Sequence, residues 1–380
     1  MMRLLISGRL RKLLISFFLL FLVIIFPSCH VFRSFLWNLP NQSDSKKFPT
    51  LHVNNEEPVF NFYEPDENCT LNVPENFYDP IKEQSFENFL DDKKTIAFLV
   101  IRNDSLLFEK YFDQYTDSSI FLSFSTSKVF VSAMVGIAID EGYIYSTGQP
   151  ITFYLKELES KPGFDKITIE DLLNMRSGIK FNEAYFNPFG DVAKYYYGTN
   201  LEKYVKKLKV EEPPDENYEY IGTNTLLLSL IVERATNKKF NEYFQEKLWE
   251  PLGMEYDAYW SIDSEKNQTV KSFCCLNARA RDFARFGRLY LNRGNWNGEQ
   301  IISEKWVERS TSIINDSRDS QGYPYTYQWR VLENGAYFAK GILGQYIFVF
   351  PEKNIIFVRL GKNTGKVHWA KFFLELSKQL

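Results

Sequence analysis

Histidine is scarce in this chain of 380 residues, which has three: His30, His52 and His368. Two lie near the N-terminus, and His368 falls in an amphipathic C-terminal segment, where it reads as a surface or packing residue. Cysteine is nearly as rare. Four residues (Cys29, Cys69, Cys274 and Cys275) cannot staple a chain of this length, and no Cys/His pair has zinc spacing. Positive charge is not in excess either. Lys and Arg total 45 against 48 Asp and Glu, a net −3, which excludes the electrostatic footprint of a nucleic-acid binder. Also missing are the G-x-S-x-G elbow, HExxH, and the glycine loops that cradle nucleotides. No metal or cofactor is expected, and any hydrolytic nucleophile must be activated without histidine. What the chain does have is apolar: 44% hydrophobic and 17% aromatic residues are enough for a large core.

The first 28 residues carry Arg3, Arg9, Arg11 and Lys12 and no acid, followed by the apolar run Leu13 to Phe26. A basic region before a short apolar run reads as a secretory leader, since crossing a bilayer takes about 20 residues. Pro27-Ser28-Cys29 resembles a lipoprotein processing site with Cys29 the lipidated residue. The other reading is an uncleaved anchor, the run extending through Val31, Phe32, Phe35, Leu36 and Trp37. Both place the remainder outside the cytoplasm and on a membrane, in the periplasm if the source is Gram-negative. Residues 39–59 are polar, with Pro40, Pro49 and Pro58, and read as a tether of little structure.

A domain of residues 60–380 follows. Thr95 to Arg102 and Leu106 to Tyr111 are β-rich runs around Asn103-Asp104. Tyr325 to Leu332, Gly335 to Lys340, Gln345 to Phe350 and Asn354 to Leu360 read as an antiparallel meander. Helical patterns fill 126–141, 169–175, 224–236, 239–250, 278–292 and 303–309, and Val367 to Leu380 is amphipathic. Strands from both chain ends can share one sheet if the helical middle is an insertion. The expected fold is therefore α+β, an antiparallel sheet from both ends flanked by helices. Cys274-Cys275 reads as two small buried residues entering a helix, because adjacent cysteines rarely pair.

S-x-x-K occurs three times, at Ser43/Lys46, Ser177/Lys180 and Ser125/Lys128. Ser43 lies in the tether, and Ser177 precedes Gly178, where a helix ends. Ser125 opens a segment apolar nearly all round, in which Lys128 is the single charge before Asp140. A buried lysine is costly unless it is paired or neutral. Three residues of helix put Ser125 and Lys128 on one face, with Cβ atoms about 5–6 Å apart, so the amine can share the hydroxyl proton. The alternative is a lysine snorkelling to the surface beside a serine cap.

Phe124-Ser125-Thr126-Ser127-Lys128 resembles the first motif of penicillin-recognising serine hydrolases, in particular their class C β-lactamase-like branch. Ile167 to Ile179, Tyr218-Glu219-Tyr220-Ile221-Gly222-Thr223-Asn224, and Gly341-Ile342-Leu343-Gly344-Gln345 follow in the family's order. Asp257 to Trp260 and Phe273 to Gly287 narrow the likeness to the 6-aminohexanoate-dimer-hydrolase-like branch of esterases and amidases. The resemblance implies a β-lactamase/transpeptidase-like fold and an acyl-enzyme hydrolase. Ser125 would be nucleophile, Lys128 its activator and Tyr220 the general base, with Tyr218 the rival phenol. The backbone N–H groups of Ser125 and Ile342 would form the oxyanion hole. Gly222, Asn224, Trp260, Gly341 and Gly344 are the candidates for substrate contact, the substrate being a small ester, amide or peptide. Two departures bear on specificity. Gly222 stands where class C enzymes carry an asparagine, and Ala339 where they carry a basic residue, with Lys340 expected to point the other way. Both weaken the alternatives of β-lactamase and peptidoglycan D-Ala carboxypeptidase. A catalytically inactive, membrane-tethered binding protein is the rival from another class.

Overall fold

The computed structural model describes residues 30–37, 39–66, 69–79, 84–185 and 187–380. The leader and Cys29 lie outside them. Among the described residues no helix is long and apolar enough to cross a membrane.

The strands are β1 (Thr50–Val53), β2 (Thr95–Arg102), β3 (Ser105–Tyr111), β4 (Phe121–Leu122), β5 (Ala258–Ser261) and β6 (Leu276–Ala278). A short ribbon β7 (Asn295–Trp296) and β8 (Glu299–Gln300) precedes β9 (Tyr325–Thr326), β10 (Trp329–Val331), β11 (Tyr337–Gly341), β12 (Gln345–Phe350) and β13 (Ile355–Gly361). The main sheet has the order β3-β2-β13-β12-β11-β10-β9 and is antiparallel throughout. Strands from the two chain ends meet at the β2–β13 pair, as the sequence implies.

The near-continuous apolar run of β2 marks a strand covered on both faces. Ala97, Leu99 and Ile101 join the core shared with the helical insertion, while Phe98 and Val100 join a second core. That second core is closed by the helix Trp369–Leu376, whose Trp369, Phe372, Phe373 and Leu376 are all buried. The helix Ala280–Leu291 crosses the opposite face. Its Gly287 allows close approach, since a methyl there would meet Ile356 at 2.9 Å.

Ser127–Asp140 forms a helix buried over nearly its whole length, which explains why its sequence shows no polar face. It packs against the helix Gly222–Thr236. Ile169–Leu173 is capped reciprocally by Thr168 and Asp171, as their spacing suggests.

Two regions differ from the sequence reading. A second sheet, β1-β5-β6-β4, is built from strands too short to show periodicity. Its β1 comes from the stretch expected to be a structureless tether. Phe48 and Val53 are buried there, Trp37 stacks edge-on against Phe48, and buried Asp44 accepts the Tyr196 hydroxyl at 2.8 Å. A few apolar side chains between the prolines suffice to dock the segment, although its overall composition is polar.

Candidate active site

β4 delivers the chain into a 3-10 turn, Phe124–Thr126, which runs directly into the buried helix. Phe124 has φ +45°, a region that a bulky residue occupies only when its surroundings impose it. The surroundings are specific. Ser123 donates its N–H to the Leu276 carbonyl (2.9 Å) and its hydroxyl to the Cys274 carbonyl (3.0 Å). The end of β11 presses on the same turn: a methyl at Gly341 would lie 2.8 Å from the Ser123 carbonyl oxygen. Glycine is therefore needed here for close approach, and it brings Ile342 beside Ser125.

Lys128 is 2% exposed. Its Nζ lies 3.4 Å from Ser125 Oγ and donates to the Phe273 carbonyl at 2.5 Å. The snorkelling alternative is excluded by this burial. The Tyr220 ring centre lies 5.2 Å from the same Nζ, and the Arg330 guanidinium 5.6 Å from that ring. Arg330 is itself buried and paired with Asp319 at 2.6 Å. The other two S-x-x-K pairs are inert by comparison. Lys180 is an exposed partner of Glu211, Ser177 donates to Asn224 Oδ1 at 2.8 Å, and the Ser43 hydroxyl bonds Asn41.

Glu183 gave no signal in the sequence. Its carboxylate accepts the Gly222 N–H (2.9 Å) and the Tyr185 hydroxyl (2.9 Å). Burial raises its pKa, while the charge of Lys128 and these hydrogen bonds oppose the shift. It lies a few residues from the aromatic stretch Tyr185 to Tyr197, part of which lines the site.

Two hollows meet at Ser125 and Ile342. The inner one is about 40 Å³ and the outer, open one about 770 Å³. Lys128 and Gly222 line the inner hollow, whereas Tyr218, Tyr220, Arg330, Lys340 and Gly341 line the outer. Both phenols thus face the outer cleft, but Tyr220 is the one placed beside Lys128. The Tyr218 hydroxyl is buried without a hydrogen-bond partner, and burial raises its pKa.

Several expected contacts are absent. Trp260 is fully buried against Phe240 and Phe244, because it sits on β5 with its ring toward the core. Asn224 is fully buried in its helix, where Ser177 occupies its side-chain oxygen. Gly344 lines neither hollow. With φ +83° it packs on buried Arg359, whose guanidinium donates to its carbonyl at 2.6 Å. The direction of Lys340 is also reversed from expectation. Ala339 is buried in the core and Lys340 lines the cleft, hydrogen-bonded to Gln321. Finally, Cys274 and Cys275 are joined by a disulfide. Both are buried as expected, but they lie in a tight turn in which both N–H groups reach the Lys271 carbonyl (3.2 and 3.0 Å), and the helix begins later, at Ala280.

Among the described residues no group of acidic, histidine or cysteine side chains could hold a metal.

Comparison with known proteins identifies the family and the fold. The Beta-lactamase family model matches residues 83–368. A 6-aminohexanoate-dimer hydrolase from Paenarthrobacter ureafaciens is 29% identical over 327 residues, covering 77% of this chain and 81% of its own. The structure of a candidate 6-aminohexanoate-dimer hydrolase from Bacillus anthracis superposes with a TM-score of 0.76 at 25% identity, over 87% of this chain and 91% of that one. A family VIII carboxylesterase gives a TM-score of 0.62 at 16% identity, over 77% and 94% of the two chains.

Proposed function

The chain belongs to the beta-lactamase family, and on that premise we propose that it is a serine hydrolase of esters or amides working through an acyl-enzyme. One observation carries the reading: Ser125 Oγ stands 3.4 Å from the buried Lys128 Nζ, with Tyr220 beside it, where two hollows meet.

Ser125 Oγ adds to the substrate carbonyl carbon as its proton passes to the Tyr220 oxygen, which acts as the phenolate and becomes the phenol. The backbone N–H groups of Ser125 and Ile342 receive the developing oxyanion, at about 3–4 kcal/mol per donor. Collapse breaks the carbon–oxygen or carbon–nitrogen bond, and Tyr220 returns the proton to the leaving group. Water then cleaves the acyl-serine by the same relay and restores the hydroxyl. Lys128 and Arg330 face the Tyr220 ring and offset the negative charge it carries before taking the proton and after returning it.

An inactive binding protein would have no need of these three groups together. The test is labelling with diisopropyl fluorophosphate, read by intact mass. Labelling is expected for the wild type and absent for Ser125→Ala; equal labelling of both removes Ser125 as nucleophile. Lys128→Ala is expected to lower ester turnover roughly 10²–10⁴-fold, while Lys180→Ala changes nothing comparable.

Lys340 in the cleft favours a second reading, hydrolysis of a β-lactam or a D-Ala-type carboxylate. Turnover of nitrocefin faster than p-nitrophenyl butyrate would select it. The basic leader and Cys29 support placement outside the cytoplasm at a membrane, by lipidation or anchoring. A mature N-terminus at Cys29 in the membrane fraction would select lipidation.

A further inference from the structure

Four consecutive carbonyls, those of Ser272 to Cys275, each take a donor, and three of the donors flank Ser125. Ser127 Oγ donates to the Ser272 carbonyl (2.8 Å), Lys128 Nζ to that of Phe273 (2.5 Å) and Ser123 Oγ to that of Cys274 (3.0 Å). The Cys275 carbonyl accepts the Ser261 N–H of β5 at 2.9 Å. Ser123 Oγ in turn accepts the Leu276 N–H at 3.1 Å. The nucleophile turn and the activating amine therefore hang on one short stretch of backbone, and the Cys274–Cys275 disulfide lies within it. A bond between neighbouring cysteines closes a small ring through a single peptide, which fixes that peptide and the carbonyls beside it.

The bond also borders the site. Cys274 lines the inner hollow together with Ser125, Lys128 and Phe273, while Cys275 is wholly buried behind it. Cys69, the free cysteine among the described residues, lies elsewhere, packed against the second core.

We propose that Cys274–Cys275 is a redox modification site: a dithiol reductant opens it, and the opening slows the hydrolase. One thiolate of the reductant attacks Cys274 Sγ, the sulfur–sulfur bond breaks, and the electron pair leaves on Cys275 Sγ, which takes a proton. The reductant's second thiol then displaces Cys274 Sγ, which is protonated in turn. Two electrons and two protons pass to the protein, and the reductant departs as a disulfide. Without the ring the Cys274–Cys275 peptide is free to turn, so the Cys274 carbonyl leaves Ser123 and the Phe273 carbonyl leaves Lys128. The amine then loses the acceptor that holds it beside Ser125 Oγ, a local change with a catalytic readout. The inference rests on the serine-hydrolase reading and adds a control on that same site.

The experiment treats the full-length protein with excess dithiothreitol, counts thiols by N-ethylmaleimide labelling and intact mass, and follows kcat/KM for p-nitrophenyl butyrate. Two further thiols are expected. With them, kcat/KM and the rate of diisopropyl fluorophosphate labelling should each fall by at least about tenfold, as for a small misplacement of a reacting group, while the circular dichroism is unchanged. Removing the reductant and re-oxidising with diamide should restore both. The double variant Cys274→Ser, Cys275→Ser should start at the reduced level and ignore dithiothreitol. An opened bond with unchanged activity would overturn the proposal, and so would a bond that resists the reductant in the folded protein. Activity lost only together with the fold would overturn it as well, leaving the disulfide a structural staple. A double variant that still responds to dithiothreitol would place the effect at another cysteine and overturn it too. The wild-type cycle decides the matter even if the double variant does not fold. Failure of the underlying reading looks different: no ester is hydrolysed in either redox state, and Ser125 never takes up diisopropyl fluorophosphate.

Discussion

Adjacent residues on a strand point to opposite sides, and at the edge of the cleft this alternation decides what can be recognised. In β11 it sends Ala339 into the core and Lys340 into the cleft. Desolvation, and next the charge of Arg330, lower the Lys340 pKa to about 8, with Asp319 opposing. Lys340 is therefore protonated below that value and neutral above it. For a substrate bearing a carboxylate, KM is expected to rise as pH increases through about 8. An uncharged substrate should show no such rise, and Lys340→Met should flatten the profile of the anionic one. A pH-independent KM for the anionic substrate would show that Lys340 does not meet its carboxylate.

At the level of elements, the Ser125 turn is set by strands from two different sheets. β6 and its preceding turn hold Ser123 from one side, while the end of β11 fits against the turn from the other. Gly341 makes that fit possible. In Gly341→Ala the new methyl must displace either Ser123 or the Ile342 N–H, so kcat/KM is expected to fall about tenfold or more, toward the ~10²–10³ seen when an oxyanion donor is lost. The melting temperature should fall as well, since the methyl meets backbone rather than a flexible side chain. Gly148→Ala is the control, away from the cleft, where a methyl meets nothing nearer than Ser146 Oγ at 3.8 Å. Equal activity of Gly341→Ala and wild type would mean that Ile342 is positioned by something other than this contact.

For the molecule as a whole, the N-terminal segment belongs to the folded body. β1 pairs with β5, Phe48 and Val53 are buried, and Leu39 and Pro40 reach the cleft. A chain starting at residue 58 loses those two side chains, at about 1.5–3 kcal/mol each, together with the Asp44 tie on Tyr196. Its melting temperature is expected to drop by roughly 5 °C or more. Unchanged melting would return residues 39–59 to the role of a passive tether. That segment also shows where reading the sequence stopped. Periodicity located most main-sheet strands and most helices to within a few residues, although the run Tyr325 to Leu332, expected as one strand, turns back at Tyr327 and Gln328 into β9 and β10; the spacing of Ser125 and Lys128 placed amine and hydroxyl together, because each depends on neighbours along the chain. Tyr220 beside Lys128 was legible only through a resemblance. The tertiary structure alone decided the rest: Glu183 and Arg330 at the site, the glycine contact at Gly341, the removal of Trp260, Asn224 and Gly344 from it, and the Cys274–Cys275 bond. Each of these rests on register, packing or a turn's shape, and segments as far apart in the chain as Ser123 and Gly341 meet only once the core has closed around them.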